Sequence, residues 1–132
     1  MKTLLWLDDY RDPSKDDWMN FSPIGRECKV VWVKSYLEFV NYIVFNGLPD
    51  AICFDHDLGD NLILRSSIDY EDWWNLEEGR EYSGMDCAKF LVNYCLDFSK
   101  PLPLYAIQSA NPVGKENIDS LLKSFNKQFL KQ

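Results

Sequence analysis

The chain has 132 residues, the length of one ordinary domain, and 46% of them are apolar, with 5 Trp, 7 Tyr and 8 Phe to fill a core. A formal charge of −7 opposes general nucleic-acid binding, because phosphates attract Lys and Arg, but it permits a small phosphate ligand held by a local cation or a metal. No stretch reaches membrane-spanning length, and the apolar run Leu4 to Leu7 ends at Asp8-Asp9, too short for a signal peptide, so a cytoplasmic protein without membrane attachment is expected.

The first predicted element is a strand at Thr3 to Leu7, whose unbroken apolar run suits burial on both faces. Residues 10–28 are mixed and polar, with Pro13, Pro23 and Gly25, and read as loop with one helical turn near Ser14 to Met19. Lys29 to Val33 is a second strand. Ser35 opens a helix, with Glu38 at capping-box spacing, an inner stripe of Leu37, Val40 and Val44, and a stop at Gly47 and Pro49. Ala51 to Phe54 is a third strand.

Residues 58–83 hold no sustained period. A helix then runs from about Gly84 to Asp97, with Ala88, Leu91, Val92 and Cys95 inward. Leu102 to Ile107 is a fourth strand, interrupted early by Pro103. Asn111-Pro112 is a helix start, a capping side chain followed by a first-turn proline, and Ile118, Leu121, Leu122, Phe125 and Phe129 form the stripe of the last helix. Strands alternating with helices imply an α/β fold: one domain over 1–132, with an open parallel sheet of about four to five strands covered on both faces. The unit between strands one and two is degenerate, since no full helix is legible there.

Four cysteines, Cys28, Cys53, Cys87 and Cys95, show no C-x-x-C spacing. They read as free thiols in a reducing compartment rather than as a zinc or redox motif.

The polar residues collect at strand ends. Asp8 and Asp9 follow strand one, Asp55, His56 and Asp57 follow strand three, and Ser109 and Asn111 follow strand four. In an open parallel sheet these points share one rim, where ligands bind. Carboxylates gathered there repel each other, and a hard divalent cation relieves the repulsion. A Mg²⁺ or Mn²⁺ site is therefore expected, with Asp9 and Asp55 as principal ligands and Asp8 or Asp57 assisting directly or through water. An isolated Asp after a strand would instead be a turn former or a cap.

The segment Ser109 to Gly114 runs from a strand end into a helix start, where free N–H groups favour an anion and Gly114 would admit a close ligand. A plain Asn111 cap is compatible with this. Arg11 is placed either to pin a phosphate or to form a surface ion pair. His56 should point away from Asp55 and Asp57 if strand geometry continues, and serves either as general acid or base or as a hydrogen-bonded structural residue.

At these residues the chain resembles response-regulator receiver domains, whose acidic pair binds Mg²⁺ and whose later Asp accepts a phosphoryl group. It more closely resembles the receiver-like family associated with cyclic-phosphate processing, through LWLDDYRDP (5–13), FDHDLG (54–59), SGMDCAKFLV (83–92) and SANPVGKENI (109–118). That resemblance implies a receiver or flavodoxin-like fold and a pocket of Asp8, Asp9, Asp55, Asp57, Ser109 and Asn111, with Arg11 and His56 beside it. It also implies action on the cyclic phosphate of a nucleotide, an RNA end or a nucleotide-derived metabolite. Members often carry His before the Ser-Ala-Asn segment, where this chain has Gln108. If that His donates a proton, His56 or water must replace it, or the protein binds without turnover.

The loop over 60–82 is long for the family. Its Trp73, Trp74 and Glu77-Glu78 suit either a lid over a base or a surface flap with its indoles tucked inward. The leading expectation is thus a metal-dependent phosphoesterase using Asp55, Asp57 and His56. The alternatives are a non-catalytic module that binds a nucleotide, a phosphate or a protein, and a receiver phosphorylated on Asp55. The last lacks the Lys that receivers place after a fifth strand, since Lys115 falls inside the last helix.

Overall fold

The computed structural model describes residues 1–15, 17–58 and 82–130. The expectations for Gly59 and for most of the 60–82 loop, including Trp73, Trp74 and Glu77-Glu78, fall outside the described residues.

The strands are β1 (Thr3–Leu7), β2 (Lys29–Val33), β3 (Ala51–Phe54) and β4 (Leu104–Ile107). The helices are α1 (Tyr36–Asn46), α2 (Gly84–Phe98) and α3 (Pro112–Phe129). All pairings are parallel and the strand order is β2-β1-β3-β4, which is the expected open receiver-like α/β sheet. β1 and β3 are therefore the inner strands, and Leu4 to Leu7 and Ala51 to Phe54 are fully buried. β4 begins at Leu104 rather than at Leu102. Pro101 and Pro103 have no N–H to give, and Leu104 N donates the first ladder bond, to Asp50 O at 3.3 Å.

Period-two alternation sorts the strand side chains. Leu5, Leu7, Val33, Ile52, Phe54 and Ile107 join the core beneath the helices, with Phe39, Ile43, Leu91, Ile118 and Leu122. Leu4, Trp6, Ala51 and Cys53 face the other way. The connections β2→β3 and β3→β4 advance in one direction along the sheet, so right-handed crossover puts α1 and α2 on the same face. The connection β1→β2 runs the other way and must cross the opposite face.

That second face is covered, but by irregular chain. Trp18, Met19, Ile24 and Cys28 pack on Leu4, Trp6, Ala51 and Cys53. The helical turn expected near Ser14 is a 3-10 helix at Trp18–Phe21. Residues 12–15 form an Asp-led turn instead, with Ser14 N donating to Asp12 Oδ1 at 2.9 Å and Lys15 N to Asp12 O at 3.0 Å. No helix among the described residues is long and apolar enough to cross a membrane.

Caps set where each helix meets the sheet rim. Ser35 Oγ accepts from Glu38 N at 3.2 Å, and Asn111 Oδ1 accepts from Gly114 N at 3.0 Å. The reciprocal capping box occurs at α2, where Ser83 N also donates to Asp86 Oδ2 at 2.8 Å. Behind this box, Tyr82 is buried and stacks on Tyr36 with ring centroids 4.4 Å apart.

Gly84 opens α2 directly against the end of β3. Its N–H donates to His56 O at 2.7 Å. A Cβ at this position would lie 1.8 Å from Asp55 O and 2.9 Å from His56 Cα, both backbone atoms that cannot swing aside. Gly84→Ala is accordingly expected to destabilise the fold by about 3 kcal/mol, as overpacking against fixed backbone does. Urea unfolding measures it, and an unchanged midpoint would disprove the clasp between α2 and β3.

Candidate functional site

Asp8, one residue past β1, is the anchor of the rim. Its backbone N–H still belongs to the sheet, donating to Val33 O at 3.1 Å. Oδ1 accepts from the N–H groups of Tyr10 and Arg11, each at 2.9 Å, curling the chain into a tight turn. Oδ2 accepts from Gln108 Nε2 at 3.2 Å and pairs with Arg11 Nη1 at 3.5 Å. Two indoles brace the same turn from the second face. Trp32 Nε1 donates to Asp8 O at 2.7 Å, and Trp6 Nε1 donates to Arg11 O at 2.9 Å.

Arg11 bridges two strand ends. Besides Asp8, Nη1 donates to Gln108 O at 3.0 Å, and the guanidinium lies 5.0 Å from the centre of the Trp18 ring. It thus ties the loop after β1 to the loop after β4 and does not stand apart as a surface pair.

Ligand atoms of Asp8, Asp9 and Asp55 lie within 4.8 Å of one another. Asp8 and Asp55 are buried and Asp9 is exposed. Burial first, then the neighbouring Asp8 charge, pushes the Asp55 carboxyl up to about 6. Partial desolvation also raises Asp9, with Asp8 adding to the effect against an opposing backbone hydrogen bond. Three carboxylates with no thiol or imidazole among them form an all-oxygen donor set, which suits a hard cation such as Mg²⁺ or Mn²⁺.

Asp57 lies outside this group. It is exposed, with His56 Nδ1 2.8 Å from its Oδ1 and Asn111 Nδ2 donating to the same oxygen at 3.5 Å. The hydrogen bond from His56, with that of Asn111, holds the Asp57 carboxyl below the usual range. A carboxylate is an acceptor, so Nδ1 carries a proton, and Nε2 has no hydrogen-bond partner among the described residues. His56 does not point away from Asp57 as alternation would have it. β3 stops at Phe54, and the chain turns before His56.

The start of α3 differs from the expected anion cradle. Pro112 has no N–H, and the N–H of Gly114 is taken by the Asn111 cap, leaving Val113 as the remaining donor of the first three positions. Ser109 Oγ accepts from Asn111 N at 3.1 Å and steadies the cap. The space over Gly114 is not open to a ligand, because a Cβ there would lie 2.3 Å from His56 Cγ. The imidazole occupies it.

Reading of the sequence passed over Gly84, Trp6 and Trp32 as parts of this site, and noted Gln108 only as standing where relatives often carry His. Gln108 had a signal: it directly follows β4, as Asp8 follows β1 and Asp55 follows β3. Gly84 was signalled only by its place one residue after a helix cap.

The raised Asp55 makes a signed prediction. Its unfolded carboxyl ionises near 3.8 and its folded carboxyl near 6, so between those values the folded state holds the extra proton. The favourable effect is complete below 3.8. As pH rises through 6 it is replaced by the cost of a buried charge. Asp55→Asn removes that cost and should stabilise the metal-free protein by about 1–3 kcal/mol at pH 7 and by nothing near pH 3.5. Urea titrations at the two pH values measure it, and an equal effect at both refutes the assignment.

Residues 3–124 match the family described as the cyclic-phosphate processing receiver domain. No curated protein and no solved structure gives a significant match to the chain. With nearly the whole chain matched, and its Asp8, Asp9 and Asp55 converging at the carboxyl rim of an open parallel sheet, the chain belongs to the cyclic-phosphate processing receiver domain family.

Proposed function

We propose that the protein is a divalent-metal-dependent phosphoesterase that opens a cyclic phosphate carried by a nucleotide, an RNA end or a nucleotide-derived metabolite. The observation that carries this reading is the single-ion spacing of Asp8, Asp9 and Asp55 in a chain of this family. Asp9 and Asp55 hold the cation, and Asp8, already committed to Gln108 and Arg11, contributes its charge and an oxygen. Bound there, Mg²⁺ or Mn²⁺ supplies Lewis-acid polarisation of a phosphoryl oxygen and acidifies water.

The chain's own residues do the rest. Water adds to phosphorus, one ring P–O bond breaks, and the freed ring oxygen takes a proton. In its doubly protonated form His56 is suited to deliver that proton, because Asp57 holds Nδ1–H and Nε2–H is left for the substrate, while the proton shed by the attacking water goes to solvent. Gly114 seats the imidazole, and Asn111 holds Asp57. Four free thiols fit a reducing cytoplasm, and the acidic surface fits a small ligand better than a polynucleotide.

A second reading, a module that binds a phosphate compound without turnover, is favoured by one feature. Arg11 is engaged by Asp8 and Gln108, and the first turn of α3 offers few N–H groups, so charge stabilisation at the phosphate falls chiefly to the metal.

Purified protein with Mg²⁺ or Mn²⁺ and a panel of cyclic phosphates should yield monoesters, with turnover lost on chelation and in Asp55→Asn. Ligand binding without product would select the second reading. Mass gain from acetyl phosphate, absent in Asp55→Asn, would instead select a phosphoacceptor.

Gly114→Ala separates the proton donor from the cation. The added methyl meets a side chain that can swing away, and alanine improves helix propensity by about 1 kcal/mol, so the fold survives. Turnover should fall by about 10²-fold, the size of a lost general acid, while metal affinity stays within about two-fold. Parallel loss of metal affinity would remove His56 from this role.

A further inference from the structure

We propose that Gln108 is a positioning residue of the cation site, its side-chain carbonyl receiving a hydrogen bond from a water carried by the ion. The proposal rests on Asp8, Asp9 and Asp55 being a cation site. Its own observation is different: Gln108 is 7% exposed, and its Oε1 is buried with no hydrogen-bond donor among the described residues. Chemistry fixes the orientation of the amide. Its nitrogen end lies 3.2 Å from Asp8 Oδ2 and 3.5 Å from Leu7 O, both acceptors, so that atom must be the donor.

A buried carbonyl without a donor is costly, and native proteins satisfy such atoms with water or ligand. Here the amide holding that carbonyl is bonded to Asp8, a member of the acidic cluster. A bare ion cannot donate a hydrogen bond, and a carboxylate cannot either. A water coordinated to a divalent cation can, and its protons are more acidic than those of bulk water. Mg²⁺ sheds its waters reluctantly and commonly binds through one or two carboxylates while keeping the remainder. Gln108 therefore joins the two halves of the shell: Nε2 orients a carboxylate, and Oε1 orients a water. This assigns the site to a cation that stays partly hydrated, and gives the residue after β4 a role that its neutral side chain conceals.

Gln108→Met removes both amide groups at nearly equal volume. Isothermal titration with Mg²⁺ alone, and with Mn²⁺ alone, should show affinity weakened about ten-fold or more, as for other residues that orient metal ligands and their waters. The metal-free variant should melt close to wild type, since loss of the unsatisfied carbonyl offsets loss of the Nε2 bond to Asp8, which keeps its two backbone donors and Arg11. A merely structural glutamine would lower the melting temperature and leave metal affinity unchanged.

A second measurement uses the wild-type protein. On adding Mg²⁺ the side-chain amide resonance of Gln108, among three glutamines, should shift as its carbonyl gains a donor, while those of Gln128 and Gln132 stay fixed. Equal metal affinity in wild type and Gln108→Met overturns the proposal, and points to an ordinary buried water on Oε1. An unmoved resonance with metal bound overturns it also. Failure of the wild type to bind either ion overturns the cation site itself, and with it the role of Gln108.

Discussion

Two buried carboxylates at the ends of adjacent parallel strands are the constraint on which the site is built. Asp8 and Asp55 extend β1 and β3, the inner strands of the sheet, so the register of those strands fixes how near their charges come. The fold answers the two charges unequally. Asp8 is surrounded by donors: two backbone N–H groups, the Gln108 amide and the Arg11 guanidinium. At Asp55 burial and the Asp8 charge outweigh the Arg11 guanidinium, and its carboxyl rises to about 6. One carboxylate is held in place by hydrogen-bond donors, and the other is lifted by burial.

Uneven cover of the sheet serves the same end. Helices pack one face and bring their capped N-termini to the rim, where Asn111 reaches Asp57 and Gly84 lies on the Asp55 backbone. The opposite face is covered by the β1–β2 segment, which carries no α-helix and contributes Trp18 beneath Arg11. An irregular segment can follow the turn after Asp8 closely. Trp6 and Trp32, strand residues facing that side, donate to two carbonyls of this turn. Apolar packing and site geometry are thus carried by the same side chains, with each indole burying its body and spending its single N–H on the rim.

Much of this was legible because it depends on local rules. Apolar runs marked the strands, and Asn111-Pro112 and Ser35 marked helix starts through groups that can satisfy free N–H donors. Topology alone then carried Asp8, Asp9 and Asp55 to one rim. The rest depended on where a period stops. Alternation held to Phe54 and failed at His56, so its direction could not be extrapolated from the strand. Gly114 looked like space for a ligand because sequence shows a missing side chain but not what fills the gap, here the imidazole of His56. Gln108 is uncharged, and its unmet carbonyl is visible only once its neighbours are placed.

For the proposed cation site, the indole brace bears on which ions would fit. The carbonyls of Asp8 and Arg11 are tethered on either side of Asp9 and Tyr10, while the Asp9 side chain itself is exposed. The Asp8 and Asp55 carboxylates are buried, and that of Asp9 rides on a short, solvent-facing arm between two tethered posts. If the proposed cation binds there, such an arrangement would tolerate a spread of ionic radii, because one adjustable contact would take up the difference that a fully rigid cage would refuse.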